Sequence, residues 1–188
     1  MKIAISGSHG VGKTTLAKAL SEKLNYPMIT EVARTVAKEM GFANTDQIRQ
    51  ADMETITRFQ TRIFYDQMLA EHGYREHLDN FISDRSIFDC VAYMILYGMD
   101  QKIIDFFIAS AAVMSGHYDL IIFCPVPLGK IQNDGFRLTD KESQFKYGMI
   151  LKDLLITKAS CPVAYLHPSR EKWLDSVLQL KIVKGDTA

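Results

Sequence analysis

Residues 7–14 read Gly-Ser-His-Gly-Val-Gly-Lys-Thr and match G-x-x-x-x-G-K-[ST] at every fixed position. A short apolar run rich in β-branched residues precedes them at residues 1–6, and apolar residues at helical spacing follow over residues 13–25. A strand, a glycine-rich turn and a helix in this order point successive backbone N–H groups at one place, where the helix N-terminus adds partial positive charge. The segment is therefore predicted to be a phosphate-binding loop.

This loop predicts a site for ATP and Mg²⁺. Lys13 is expected to reach the β- and γ-phosphates, and the Thr14 hydroxyl is expected to complete the magnesium shell. Thr15 is a candidate for a hydrogen bond to the α-phosphate, whereas His9 occupies an unrestricted position and is interpreted as a local hydrogen-bonding residue. The predicted nucleotide-binding residues are Gly7, Ser8, His9, Gly10, Val11, Gly12, Lys13, Thr14 and Thr15.

Bulk properties disfavour several classes of protein. The 188 residues include 22 basic and 22 acidic side chains, so the formal net charge of zero provides no global polycation for DNA or anionic lipid. No stretch approaches the ~20 apolar residues of a membrane span, and the apolar start is shorter than a signal-peptide core. Cys90, Cys124 and Cys161 lack C-x-x-C spacing and are expected to be buried thiols. A cytoplasmic protein without membrane association is predicted.

Five apolar runs alternate with helical patterns along the chain. The predicted strands are residues 1–6, 26–30, 81–82, 120–124 and 163–166. Alternation implies parallel pairing with right-handed crossovers, hence an α/β fold with a three-layer, doubly wound, five-stranded sheet. Residues 1–188 are expected to form a single domain. Ligands gather at the carboxyl ends of such strands, so the phosphate loop, Glu31 and Asp84 should converge on one cleft.

Two further regions have predicted roles. A long helix is expected over residues 44–72, with Asn44 or Thr45 as its cap and an apolar face. The region from about residue 42 to 78 is interpreted as the acceptor side of the site. The segment from about residue 126 to 141 contains Pro and Gly and is interpreted as a lid loop.

Two classes of phosphate-loop protein are disfavoured by the rest of the sequence. A regulatory GTPase would carry N-K-x-D for guanine and D-x-x-G for its switch, and neither pattern occurs. An AAA-type motor would need a separate helical domain and further sensor elements, for which 188 residues are too few. A small phosphotransferase is the interpretation that remains.

The sequence resembles the P-loop nucleoside and nucleotide kinases over nearly its whole length. The resemblance rests on the phosphate loop and on residues 31–34 (EVAR), residues 84–86 (DRS) with Asp89, and residues 134–137 (DGFR). Only the loop is specific alone, and the other motifs gain weight from their order at strand ends. The similarity is greatest to the small branch that includes the ribosylnicotinamide kinase domain and related phage and bacterial ATPases. Thymidylate kinase and the deoxynucleoside kinases are more distant.

Asp84 and Arg85 follow the predicted third strand. The resemblance implies that Asp84 organises magnesium together with Thr14, because a carboxylate there can hold a metal-bound water. The alternative is an N-cap for the helix that starts near Ile87. The resemblance also implies that Arg85 contacts an acceptor or donor phosphate through paired hydrogen bonds, and the simpler interpretation is a surface ion pair.

Glu31 stands at the end of the second predicted strand. The resemblance to nucleoside kinases implies that its carboxylate takes the proton of the acceptor hydroxyl, so Glu31 is the leading candidate for the general base. The alternative is an acidic residue in the first turn of a helix, where the dipole favours it. Arg34 lies on the same helix face and is predicted either to pair with Glu31 or to bind substrate.

Arg137 lies within the predicted lid loop. An arginine delivered by lid closure can stabilise the charge that spreads over the transferring phosphoryl group. Arg137 is therefore a predicted catalytic residue, beside Lys13, Glu31 and Asp84. The alternative is a solvated loop whose charges keep the protein soluble.

The predicted long helix offers candidates for the acceptor pocket. Arg58 lies on a face that could line this pocket, with Phe59 or Phe64 to stack on a base. The competing interpretation is stronger here, because Phe59 fits the core and Arg58 fits a solvated face. Tyr93 and Tyr97 are interpreted as packing residues. The predicted substrate-binding residues are Arg34, Arg85, Phe59 and Arg58.

The predicted function is ATP-dependent transfer of the γ-phosphoryl group to a hydroxyl or phosphate of a nucleoside- or nucleotide-like acceptor. Two alternatives stay open. One is a phage-type kinase of hydroxymethylated pyrimidine bases in DNA, which the absence of a basic stripe disfavours. The other is a regulatory ATPase in which the nucleotide orders the lid for a protein partner. These patterns specify neither the acceptor nor the oligomeric state.

Overall fold

The computed structural model describes residues 1–77, 79–126 and 141–185. Within these ranges strands and helices alternate along the chain. The strands are β1 (Lys2–Gly7), β2 (Met28–Ile29), β3 (Phe81–Asp84), β4 (Leu120–Cys124) and β5 (Val163–Tyr165). The helices are α1 (Lys13–Leu24), α2 (Val32–Glu39), α3 (Thr45–Gln50), α4 (Met53–His77), α5 (Ile87–Leu96), α6 (Gln101–Ser115), α7 (Lys141–Lys158), α8 (Trp173–Leu178) and α9 (Lys181–Lys184), with a 3₁₀ turn at Arg170–Lys172.

The strands form one sheet in the order β2-β3-β1-β4-β5, and every neighbouring pair is parallel. Ile5 of β1 is in register with Asp84 on one side and with Ile122 on the other. The carboxyl ends of β1, β3 and β4 therefore lie side by side. This sheet confirms the predicted doubly wound α/β fold.

Alternate residues of the strands bury opposite faces of the sheet. Ile3 and Ile5 belong to a buried cluster with residues of α1 and α8, whereas Ala4 packs with a larger cluster formed by the helices from α2 to α7. Strands covered on both faces are apolar throughout, which is why β1 and β4 are recognisable in the sequence. Two layers of helices thus cover the two faces of the sheet, and the loops that follow the strands lie at its carboxyl edge.

The predicted helix over residues 44–72 is wrong in one respect, because the structure divides it into α3 and α4. Asn44 caps α3, where its side chain accepts a backbone N–H. Ala51 then adopts an extended conformation with ψ of 157°. Asp52 accepts the backbone N–H of Thr55 at 2.7 Å and starts α4. An aspartate within an apolar repeat favours a new cap over helix continuation.

Other boundaries also differ from the prediction. Strand β2 is shorter than predicted because it is a sheet edge in which Pro27 has no N–H, although the Pro27 carbonyl accepts from Ile82 at 2.9 Å. After β5 the chain forms the 3₁₀ turn, α8 and α9 in succession. Most of the predicted lid, residues 127–140, lies outside the described residues. The helices of the described ranges include none that is both long and apolar enough to cross a membrane.

Candidate functional site

The phosphate loop joins the carboxyl end of β1 to the start of α1. Gly7 has φ of 149°, and a Cβ atom there would lie 2.4 Å from the carbonyl oxygen of Cys124 on the neighbouring strand. Gly12 has φ of 105° and is the N-cap of α1. Side chains other than hydrogen rarely tolerate such angles. Backbone geometry therefore requires glycine at both ends of the loop.

Lys13 is the first residue of α1 and is only 4% exposed. Its Nζ atom donates a hydrogen bond to the carbonyl oxygen of Ser8 at 2.7 Å. The ammonium group therefore lies against the loop that it is predicted to serve. An ammonium group is strongly hydrated in water, so it needs hydrogen-bond acceptors when it is buried. Phosphate oxygens can replace the Ser8 carbonyl as acceptors for its three protons.

Thr14 and Asp84 meet at the carboxyl edge of the sheet. The Thr14 hydroxyl donates to Oδ2 of Asp84 at 2.6 Å, and Asp84 is 2% exposed at the end of β3. The N-cap of α5 is Ser86 and not Asp84, and the Ser86 N–H donates to Asp89 at 3.0 Å. The alternative interpretation of Asp84 as a helix cap is therefore wrong, and its carboxylate instead faces the start of α1.

Glu31 and Arg85 form a largely buried ion pair beside this point. The Arg85 Nη2 and Nε atoms lie 2.7 Å and 2.9 Å from Oε1 of Glu31, while Oε2 of Glu31 accepts from Nε of the more exposed Arg34 at 3.1 Å. Burial opposes the charge on Arg85, but the Glu31 carboxylate raises the pKa of Arg85 well above its ordinary value. The guanidinium therefore stays charged at every physiological pH.

Arg85 also has an unusual backbone conformation. Its φ of 121° lies in a region that residues other than glycine rarely adopt. Such strain costs of order 1–3 kcal/mol and persists where the surroundings hold it, commonly at functional sites. Here the ion pairs with Glu31 and Asp89 hold the side chain, which points to a role for its position.

Asp89 connects the phosphate loop with this arginine. It is fully buried and accepts hydrogen bonds from Arg85 Nη1 at 3.3 Å and from the Tyr147 hydroxyl at 3.0 Å. Its Oδ1 atom also lies 3.4 Å from the backbone nitrogen of Gly7. Burial, together with the Asp89 charge, raises the pKa of Tyr147 well above its usual range, so its hydroxyl remains a donor.

A cavity opens next to Glu31 and Arg85. Its walls come from α2, α3, α4 and α5, and the residues that line it include Phe59, Gln60 and Tyr93. The Arg85 guanidinium carbon lies 5.6 Å from the centre of the Tyr93 ring, within cation–π range. An apolar and aromatic wall with a few polar groups at one end is typical of a site for a small organic molecule.

The structure brings most of the predicted residues together but not all of them. Phe59 lines the cavity, whereas Arg58 is exposed in a shallow groove on the outer side of α4. Arg58 is exposed and lines that separate groove, so it does not share the cavity wall with Phe59. The structure therefore corrects the placement of Arg58. Arg137 lies outside the described residues, and its role stays a prediction.

The cavity residues that are absent from the predicted set include Gln60, Tyr93 and Tyr97. Gln60 is 2% exposed and lies beside Phe59. Tyr93 of α5 and Tyr97, the C-cap of that helix, are interpreted above as packing residues but line the cavity. The spacing of Tyr93 and Tyr97 along a helix after the DRS motif is the signal that could have indicated them. No comparable pattern in the sequence indicates Gln60, because a polar residue near a core position has several explanations.

Comparison with known proteins agrees with this geometry. A family model described as an AAA domain matches residues 2–171. The chain belongs to this AAA domain family. The match is to a domain and names no motor activity. The family match covers the phosphate loop, Glu31 and the Asp84–Arg85 pair together.

Solved structures with the same fold as this AAA domain include kinases. Deoxyadenosine kinase from M. mycoides with bound dATP has a TM-score of 0.70 and 18% identity, over 95% of this chain and 97% of that chain. The NadR protein in complex with NR has a TM-score of 0.69 and 20% identity, over 95% of this chain and 50% of that chain. At identities this low, the structural similarity shows the fold alone, and that fold is the one of the P-loop kinases.

Curated relatives of the AAA domain are matched over a shorter segment. A putative adenylate kinase from Thermococcus gammatolerans is 31% identical over 80 residues, which are 43% of this chain and 45% of that protein. A putative adenylate kinase from Pyrococcus abyssi is 35% identical over 79 residues, which are 42% of this chain and 43% of that protein. The match thus spans less than half the length of these curated relatives.

Proposed function

We propose that this protein is a kinase that transfers the γ-phosphoryl group of ATP to a nucleoside- or nucleotide-like acceptor. The observation that carries the proposal is the position of the cavity, which meets the phosphate loop at one buried cluster. Asp84 contacts Thr14, its neighbour Arg85 lines the cavity, and Asp89 contacts both Arg85 and Gly7. A donor phosphate in the loop would therefore face an acceptor in the cavity, as in-line transfer requires.

The residues at the loop fit a magnesium ion. The Thr14 hydroxyl and the Asp84 carboxylate are oxygen donors of the type that Mg²⁺ prefers. When bound, Mg²⁺ neutralises charge on the β- and γ-phosphates. Thr14 would bind the ion directly, and Asp84 would hold a water of its shell. Lys13 would exchange the Ser8 carbonyl for phosphate oxygens and orient the transferring group.

Glu31 and Arg85 have different roles on the acceptor side of the site. Glu31 lines the cavity, and we assign it the proton of the acceptor hydroxyl as the new bond to phosphorus forms. Arg85 lies between the cavity and the Asp84 end of β3, where its fixed positive charge stabilises the transferring phosphoryl group. Phe59 and Tyr93 provide apolar and aromatic surface for a base.

An acceptor screen tests this function. Radiolabelled ATP is incubated with the protein and with nucleosides, nucleoside monophosphates or hydroxymethylated DNA in turn. We expect one class of free nucleoside or nucleotide to become labelled and to increase ADP release strongly. Labelling of DNA alone would support the DNA-base kinase. ADP release that no acceptor changes would favour the regulatory ATPase and contradict the proposal.

Asp84→Asn is expected to weaken magnesium use far more than nucleotide binding. The amide can still accept the Thr14 hydrogen bond, but it loses the charge that holds a metal-bound water. Outer partners of metal sites contribute ~10–100-fold to metal affinity, so the Mg²⁺ concentration for half-maximal rate should rise by a factor in that range. The measurement is a magnesium titration of the rate, with ATP binding in EDTA as the control. An unchanged titration would leave Asp84 with a structural role only.

Gln60→Leu is expected to raise KM for the acceptor by ~10-fold or more, because a polar group of the acceptor would lose its hydrogen-bond partner in a buried cavity. KM for ATP should stay within about twofold of the wild-type value, since Gln60 is not in the loop. Arg58→Gln is the matched control two residues earlier on α4, and we expect it to change neither constant. Equal effects of both substitutions would contradict the assignment of this cavity.

A further inference from the structure

Three successive carbonyl groups of the phosphate loop are bonded by side chains from different parts of the chain. The Ser8 carbonyl accepts from Lys13 Nζ at 2.7 Å. The His9 carbonyl accepts from Gln144 Nε2 at 2.9 Å. The Gly10 carbonyl accepts from Arg170 Nη2 at 3.0 Å. Only the first of these donors belongs to the loop motif.

The geometry of an anion-binding loop explains why these carbonyls need partners. When successive N–H groups turn inward to a phosphate, the carbonyl groups of the same peptides turn away from it. A carbonyl that points into the protein costs free energy unless a donor meets it. The side chains that meet the outward carbonyls thus stabilise the inward direction of the N–H groups.

Gln144 holds the loop through two contacts. It lies in the first turn of α7 and is 1% exposed. Its side-chain amide donates to His9, and its own main-chain carbonyl accepts from the Ser8 hydroxyl at 2.9 Å. Because the His9 carbonyl can only accept, the nitrogen of the amide must face it. The Oε1 atom is buried and has no hydrogen-bond partner in the described part of the chain, so the contact with His9 is kept against a desolvation cost.

Arg170 approaches the loop from the other side. It begins the 3₁₀ turn that follows β5, far from Gln144 in the sequence. Its guanidinium donates to Gly10, and its Cδ and Nε atoms lie 3.8 Å from the place where a side chain on Gly12 would start. The arginine therefore packs along the loop as well as bonding it.

We propose that Gln144 and Arg170 are positioning residues that hold the phosphate loop in its binding conformation before the nucleotide arrives. This inference rests on the proposed function, because the ligand of the loop is taken to be the triphosphate of ATP. A loop already held in place binds phosphate without a further cost of ordering, so both residues contribute to affinity without touching the nucleotide.

The test compares Gln144→Glu and Arg170→Gln with the wild-type protein. Affinities for ATP, inorganic tripolyphosphate and adenosine are measured by calorimetry. We expect each variant to weaken ATP and tripolyphosphate by ~10-fold, the size of one lost hydrogen bond, and to leave adenosine unchanged. KM for ATP should rise by the same factor, with a smaller change in kcat.

The pH dependence of ATP affinity in Gln144→Glu is a second measurement, and it would not change if Gln144 had only a structural role. An ionised carboxylate repels the His9 carbonyl, whereas a protonated carboxyl group can donate to it. The loss of ATP affinity in Gln144→Glu should therefore shrink as the pH falls, relative to wild type at the same pH. Gln67→Glu makes the same change at another buried glutamine, which donates to Glu71 and Ser83. This control should lower thermal stability without changing ATP affinity.

Three results would overturn the inference. Wild-type ATP affinity in both Gln144→Glu and Arg170→Gln is the first. An equal loss of ATP affinity in Gln67→Glu is the second, since it would reduce the effect to general destabilisation. The third result is a wild-type protein that binds neither ATP nor tripolyphosphate, which would overturn the proposed function and this inference with it.

The test does not depend on one variant. Arg170 is partly exposed, so Arg170→Gln keeps the test valid if Gln144→Glu does not fold.

Discussion

Lys13→Ala is expected to abolish phosphoryl transfer while the protein remains folded. Lys13 is the only side chain with a full positive charge in the fixed positions of the loop motif, and its Nζ atom lies 2.7 Å from the Ser8 carbonyl. A positive charge placed on the transferring group contributes ~10³–10⁵-fold to the rate of phosphoryl transfer. We therefore expect kcat to fall by at least ~10³-fold.

The measurement is single-turnover transfer at saturating ATP, with circular dichroism and thermal unfolding to check the fold. Alanine has a high helix propensity, so α1 should keep its first turn. Lys18→Ala is the matched control, because Lys18 is exposed on the same helix. A Lys13→Ala variant with turnover near the wild-type value would refute the assignment of this loop as the catalytic cradle.

Glu31→Gln is expected to lower the rate of transfer by ~10²–10⁴-fold, the usual contribution of a general base. The substitution keeps the shape of the side chain but removes its ability to take a proton. It also removes the charge that faces Arg85 at 2.7 Å, so acceptor affinity should change as well. Loss of one partner of a buried ion pair costs about 3–5 kcal/mol, and the remaining contact between Arg85 and Asp89 should reduce that cost here.

Pre-steady-state rates separate these effects, because the chemical step is measured with the acceptor saturating. Glu39→Gln is a suitable control, since Glu39 pairs with Arg62 on the exposed end of α2. We expect Glu39→Gln to retain the wild-type rate. If Glu31→Gln keeps full activity and an unchanged pH profile, either Asp84 is the base or no side chain is, and the acceptor does not lie beside β2.

Local sequence determined the parts of the site that depend on the backbone. The glycines of residues 7–14 specify a loop that no other residues can form, as the φ values of Gly7 and Gly12 show. Parallel strands end at one edge of a sheet, so the alternation of strands and helices placed Asp84 near the phosphate loop, and the observed pairing of β1 with β3 brings its carboxylate to Thr14. The same reasoning placed Glu31 in one cleft with Asp84, whereas the ion pair between Glu31 and Arg85 follows from the pairing of β2 with β3 in the structure.

Tertiary structure alone decided which side chains complete the site. Arg58 and Phe59 are adjacent in the sequence, and only the packing of α4 places Phe59 in the cavity and Arg58 in a groove on the surface. Gln144 and Arg170 reach the loop from more than 130 positions away in the chain, as the sequence separations of 135 and 160 residues show. Local sequence predicts backbone angles and helical faces because these depend on near neighbours. A contact between distant residues depends on how whole helices and strands pack, and the sequence neighbours of either residue do not indicate that packing.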